Sequence, residues 1–146
     1  MEQIRSGPVF FNGHVSQVPR LLNDSSVLID YLRGDPKLDE LETLMDDRQT
    51  WICGPVLAEI SAGLKGSKRG EVMDLLAYQR FVDLTKSDWL AIGDLSNKLV
   101  IAGEVTPLSD VAIAVAATKV EATLWTRDRD FKKIKSVLKE LSLKVA

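Results

Sequence analysis

The sequence predicts an α/β domain built on a central, mainly parallel sheet, and three observations carry that prediction. From residue 20 onward, short apolar runs alternate with stretches of helical periodicity, the pattern of strands joined by crossover helices. Boundaries are punctuated by turn and cap residues at Gly34, Asp35-Pro36, Gly54-Pro55 and Pro107. The length of 146 residues fits one domain, and the chain carries no internal repeat or low-complexity tract.

Arg20-Leu21-Leu22-Asn23 is the first strand, ending at Asp24. Ser25 to Arg33 follows as a helix, with Val27, Leu28, Tyr31 and Leu32 at three-to-four spacing, and Gly34 stops it. Asp35 then caps a second helix with Pro36 at its first position and a stripe of Leu38, Leu41, Leu44 and Met45. Thr50–Cys53 is a buried strand, after which Val56, Ile60 and Leu64 repeat along a third helix. The segment 64–70 is a basic, glycine-containing loop, followed by a helix through Val72, Met73, Leu75 and Leu76 and a short strand at Phe81–Leu84. Ser87 to Ala102 is a longer amphipathic helix. Ser109 is placed as N-cap of an Ala-rich helix whose apolar character nearly all round predicts full burial. Ala122–Thr126 is a strand, Phe131–Lys135 a short helix, and Leu143–Val145 a final edge strand. Residues 1–19 show neither periodicity and are read as an irregular N-terminal extension; residues 20–146 form the domain.

Composition narrows the function classes. An apolar share of 45% supports a real core, and a net charge of −2 gives no global reason to expect a nucleic-acid partner, so any such binding must come from local charge. The single cysteine, Cys53, excludes an internal disulfide and a cysteine-based zinc site, and its apolar neighbours predict a small buried residue. The single histidine, His14, reads as a solvated loop residue, which argues against a histidine triad. No stretch is apolar for the ~20 residues a bilayer span requires, and a basic start with an apolar run is lacking, so the expected location is cytoplasmic.

Most acidic residues need only solubility as an explanation, but four places mark the architecture. Asp24 ends the first strand, and Asp128 and Asp130 follow the Ala122–Thr126 strand. In a parallel sheet these share the carboxyl edge, where ligands of open α/β sheets bind. Asp110 lies in the first turn of the Ala-rich helix, where the helix dipole also favours negative charge. Glu59 lies beside the apolar stripe of its helix and is expected to be half-buried, with a lysine or arginine as its ordinary partner. Each taken singly is a helix cap or a surface charge. Together they are a like-charge group that a cation would have to compensate, and all-oxygen ligands favour Mg²⁺ or Mn²⁺.

Four blocks in this order resemble the PIN domain, and specifically the VapC-type toxin ribonucleases of toxin–antitoxin pairs. They are NDSSVLIDYLRGD, GPVLAEISAGL, PLSDVAIAVAA and ATLWTRDRDF. The resemblance runs from about Leu21 to the C-terminus. It implies a three-layer α/β/α sandwich with four to five short strands, and metal-dependent endonucleolytic hydrolysis of RNA. It places the catalytic acids at Asp24, Glu59, Asp110, Asp128 and Asp130, with metal held by Asp24, Asp110 and the Asp128/Asp130 pair. Ser26 and Thr126 become supporting hydroxyls. The last loop is one residue shorter than the frequent form, which leaves open whether Asp128 or Asp130 contacts metal. The implied partners are RNA, a small antitoxin and a second copy in a homodimer. An RNA-processing nuclease without an antitoxin, or a silent interaction module of the same fold, are the competing readings. For RNA, residues 127–144 carry seven Lys/Arg against three Asp/Glu, and Lys65, Lys68 and Arg69 add a second basic loop.

Overall fold

The computed structural model describes residues 9–11, 14–16 and 20–146. Strands β1 (Val9–Phe11) and β2 (His14–Ser16) pair antiparallel, with Phe11 opposite His14. This hairpin departs from the irregular reading of the N-terminal segment, and His14 opens a strand instead of lying in a loop. Strands of three residues are too short to show alternation. The other predicted extension residues lie outside the described ones.

The main sheet contains β3 (Leu21–Asn23), β4 (Thr50–Cys53), β5 (Arg80–Val82), β6 (Thr123–Thr126) and β7 (Ser142–Val145). Their order is β5-β4-β3-β6-β7, and every neighbouring pair is parallel. Leu22 on the central strand sits opposite Trp51 on one side and Leu124 on the other. Flanking helices complete the predicted three-layer α/β/α sandwich. They are α1 (Ser25–Leu32), α2 (Asp39–Asp46), α3 (Gly54–Gly63), α4 (Arg69–Tyr78), α5 (Lys86–Ile101), α6 (Leu108–Lys119) and α7 (Phe131–Val137). A 3₁₀ turn at Pro36–Leu38 precedes α2, capped by Asp35, whose side chain accepts from the Lys37 amide at 3.0 Å.

Burial follows the strand and helix patterns. All residues of β3 and β4 are buried, while edge strand β7 alternates between exposed and half-buried. Helix α6 buries Val111, Ala112, Ile113, Ala114, Ala116 and Ala117, as its apolar circumference predicts. Trp125, Phe131, Leu22 and Ile113 are among the largest fully buried side chains, each contributing about 1.5–3 kcal/mol by leaving water. The polar Asn23 on the central strand is satisfied in part by donating to Gln79 at 3.2 Å.

Several boundaries differ from the sequence reading. Pro36 opens a 3₁₀ turn, with α2 starting only at Asp39, and α4 begins at Arg69, inside the segment read as a loop. The fifth strand begins at Arg80 and ends at Val82, so Asp83 and Leu84 belong to the connection. Pro107, not Ser109, holds the N-cap position of α6, because its extended backbone presents the carbonyl that accepts from Asp110 and Val111.

Helix α1 ends in a Schellman turn. Gly34 takes φ 84°, its amide donates to the Tyr31 carbonyl at 2.9 Å, and the Asp35 amide reaches back to the Asp30 carbonyl at 3.1 Å. Only glycine adopts that backbone without strain. The turn brings Asp35 back beside Asp30.

Topology positions the site. The chain runs β3 to β4 to β5 on one side of the central strand, then returns to place β6 and β7 on the other. Such a reversal opens a crevice at the carboxyl ends of the strands, and both Asp24 and the 127–130 loop emerge there.

Candidate metal-dependent active site

Asp24 stands where β3 becomes α1. Its backbone amide continues the sheet ladder by donating to the Trp125 carbonyl at 3.0 Å, and its carboxylate is buried, at 6% exposure. A buried carboxylate is costly unless hydrogen-bonded, and this one accepts three times. The Ser25 amide reaches Oδ1 at 2.8 Å, while the Ser26 and Thr126 hydroxyls reach Oδ2 at 2.9 and 2.7 Å. Asp24 therefore is the helix N-cap, and it is more than a cap: two of its donors are side chains, one from the end of β6.

The same two hydroxyls hold the following loop. The Thr126 hydroxyl accepts from the Asp128 amide at 3.0 Å, and the Ser26 hydroxyl accepts from the Arg127 amide at 3.1 Å. Asp128 Oδ1 in turn accepts from the Asp130 amide at 2.9 Å. Asp128 and Asp130 are both exposed, and Asp130 pairs with Lys133 at 3.5 Å.

Asp110 is half-buried in the first turn of α6. Burial, followed by the charges of Asp24, Asp128, Glu59 and Asp130 in that order, pushes its carboxyl up to about 6. These five acids thus share one electrostatic neighbourhood, with Asp128 weighing more on Asp110 than Asp130 does.

Glu59 differs from expectation. It is exposed, not half-buried, and its partner is the Ser25 hydroxyl at 2.9 Å in place of a lysine or arginine. The stripe of α3 turns Val56 and Ile60 inward and leaves Glu59 on the flank that meets the start of α1. Ser25 is a site neighbour that sequence reasoning missed; its one signal was a hydroxyl directly after Asp24.

Among the described residues, no three His, Cys, Asp or Glu side chains stand close enough together to enclose a metal ion. The acids share a field without a common centre, as mutually repelling carboxylates do. The donor chemistry nevertheless fits a hard divalent cation, because every candidate ligand is a carboxylate oxygen and such an ion neutralises the negative charge that adds to burial in raising Asp110. Beneath the site, burial pushes the Cys53 thiol up to about 12, with further contributions from Asp24 and Glu59, so it is inert as the sequence predicts.

The basic surface is smaller than the sequence count. Arg127 pairs with Asp30 and Asp35, Lys135 caps the Leu141 carbonyl, and Lys144 pairs with Glu40 at 2.9 Å while lying 4.2 Å over the Trp125 ring. Arg69 donates to the Ser61 carbonyl at 2.7 Å, at the end of α3. Lys65, Lys68, Arg129, Lys132 and Lys139 remain exposed with no ion pair among the described residues.

The model of the PIN domain family matches residues 21–137. The chain belongs to the PIN domain family. PIN domains are generally nucleases. Solved structures share the fold. VapBC2 from Rickettsia felis, bound to a DNA fragment from its promoter, is 23% identical at a TM-score of 0.68, covering 86% of this chain and 98% of that one. DNA-bound VapBC from Salmonella typhimurium is 16% identical at a TM-score of 0.71, with 88% and 98% covered. FitAcB from Neisseria gonorrhoeae is 21% identical at a TM-score of 0.59, with 84% and 95% covered. No curated protein matches the sequence. Among the described residues of this PIN domain, no helix is long and apolar enough to cross a membrane.

The raised Asp110 value gives a signed pH prediction. Between its ordinary 3.8 and about 6, the folded chain keeps a proton that the unfolded chain has released. Asp110 therefore favours the metal-free fold most below 3.8, and that contribution is lost as pH rises to about 6. Asp110 is half exposed, so solvent screening reduces the effect to roughly 1 kcal/mol. Asp110→Asn should raise the metal-free melting temperature at neutral pH by about 2–4 °C and flatten its pH dependence over this range. Thermal melts in chelator across that range check it, and an unchanged profile would remove the electrostatic account.

Proposed function

We propose that this PIN domain is a Mg²⁺- or Mn²⁺-dependent endoribonuclease and the toxin of a VapBC-type toxin–antitoxin pair. The observation that carries this reading is Asp110, half-buried in the first turn of α6 and pushed up to about 6, first by burial and then by the charges of Asp24, Asp128, Glu59 and Asp130. A fold has no structural use for that repulsion, and a hydrolytic metal site does. The toxin–antitoxin part rests on the fold neighbours, which are named as VapBC and FitAcB assemblies.

In this reading Asp24, Asp110 and Asp128 hold the ion. Asp128 is preferred to Asp130 because its amide is fixed by Thr126 and its charge acts more strongly on Asp110. Bound there, the ion supplies positive charge for a phosphodiester and for the oxyanions that develop on it. Ser26 and Thr126 orient Asp24 through its Oδ2. Glu59, exposed and tethered by Ser25, reaches the crevice from α3 to position the attacking water. Lys65, Lys68, Arg129, Lys132 and Lys139 supply charge for the RNA backbone. A homodimer, a small DNA-binding antitoxin and a cytoplasmic location complete the proposal.

The test is cleavage of a structured RNA pool by the purified chain in millimolar Mn²⁺ or Mg²⁺, with chelator as the control. Metal-dependent internal cleavage, suppressed by the product of an adjacent small gene that co-purifies with the chain, is the expected result. Cleavage without such a partner points to an RNA-processing nuclease. No cleavage with either ion, combined with stable capture of a protein, points to a silent interaction module.

A further inference from the structure

Arg127 opens the loop that carries Asp128 and Asp130, in the most basic stretch of the sequence, where a phosphate contact is the obvious role. Its side chain is committed elsewhere. The side chain is 27% exposed; Nη2 donates to Asp35 Oδ2 at the 3₁₀ turn, and Nε lies 2.8 Å from Asp30 Oδ2 on α1 as an ion pair that lacks hydrogen-bond alignment. Both partners are themselves mostly covered, at 29% and 24%. Asp35 is further fixed by the Lys37 amide, and the Schellman turn at Gly34 sets it beside Asp30. Meanwhile the Arg127 backbone amide donates to Ser26 Oγ, the hydroxyl that also holds Asp24.

We propose that Arg127 is a positioning residue that clamps the β6–α7 loop to α1 and the 3₁₀ turn, thereby setting the place of Asp128 against Asp24 and Asp110. The proposal rests on the metal-nuclease reading for its effect on the site, while the clamp itself is a property of the metal-free chain. Three features argue for it over RNA binding. The extended guanidinium reaches two separate carboxylates at once, hydrogen-bonding Asp35 and ion-pairing with Asp30, which a compact point charge does less well. Two carboxylates already compensate its charge, leaving little for a phosphate. Its two neighbours, Thr126 and Asp128, are joined by the hydrogen bond that fixes the loop, so a change at residue 127 is transmitted directly to Asp128.

The experiment compares wild type with Arg127→Gln, Arg127→Lys and the Asp30→Asn/Asp35→Asn double variant. It reads Mn²⁺ affinity by calorimetry, amide hydrogen exchange over residues 126–131 in chelator, and the salt dependence of binding to an uncleaved RNA analogue. Arg127→Gln is expected to weaken Mn²⁺ binding about 10-fold or more, the scale of losing a group that orients a ligand. It should speed exchange across the loop and leave the salt slope unchanged. Arg127→Lys should fall between it and wild type, and the double variant should reproduce the loss without touching Arg127, which keeps the test open if Arg127→Gln does not fold. Metal affinity within about twofold of wild type, with a salt slope reduced by about 0.7–0.9, would make Arg127 a phosphate contact and overturn the clamp. Wild type that binds no Mn²⁺ removes the nuclease reading instead; the exchange data then decide the clamp alone, and unchanged protection in the variants sinks it.

Discussion

Asp24→Asn is expected to reduce RNA cleavage by more than about 100-fold, beyond the range caused by loss of a merely supporting group. The substitution is nearly isosteric, and the three donors that converge on Asp24 remain in place. An amide oxygen still accepts from two of them, but the NH₂ group faces one donor with a donor. The charge that the cation would meet is gone. The fold should survive, because removing Asp24 also removes the largest charge acting on Asp110. Cleavage assays in Mn²⁺ beside far-UV circular dichroism separate the two effects. Retained cleavage by a folded Asp24→Asn variant would end the proposed mechanism.

Saturating Mn²⁺ should raise the melting temperature of the wild-type chain by roughly 5–10 °C. An ion at ~100 times its Kd stabilises the native state by about 2.7 kcal/mol, and a chain of this size gains ~2–4 °C per kcal/mol. The ion also relieves repulsion between acids that have no common centre without it. Binding should weaken as pH falls below about 6, since a proton on Asp110 must then be displaced. The same scan on Asp24→Asn should show little shift. A flat response of wild type at millimolar metal would count directly against the site.

Much of this fold is legible in the sequence. The strands and helices were marked by their own caps and turns, and a parallel sheet places the end of every strand on one edge. Asp24 and Asp128 therefore had to emerge together once the topology was known. What escaped was set by long-range geometry. Glu59 was expected to be half-buried because it adjoins an apolar stripe, yet the way α3 lies against α1 leaves it exposed on Ser25. Counting lysines and arginines overstates the free positive charge, because Arg69, Arg127, Lys135 and Lys144 serve internal acceptors that no local pattern announces. The β1–β2 hairpin was missed because three-residue strands are too short for alternation to show.

The bond from Thr126 to Asp24 joins residues 102 positions apart; Thr126 ends β6, which lies beside β3, the strand that Asp24 follows. Contacts of such separation form late, because they must wait for the chain between them. On a ribosome adding about 5–20 residues each second, Asp24 emerges several seconds before the strand that completes its surroundings exists. Unfinished chains therefore carry the first acid without the last. Asp24 gains the Thr126 hydroxyl only after β6 has been made, so its buried carboxylate is fully hydrogen-bonded late in synthesis.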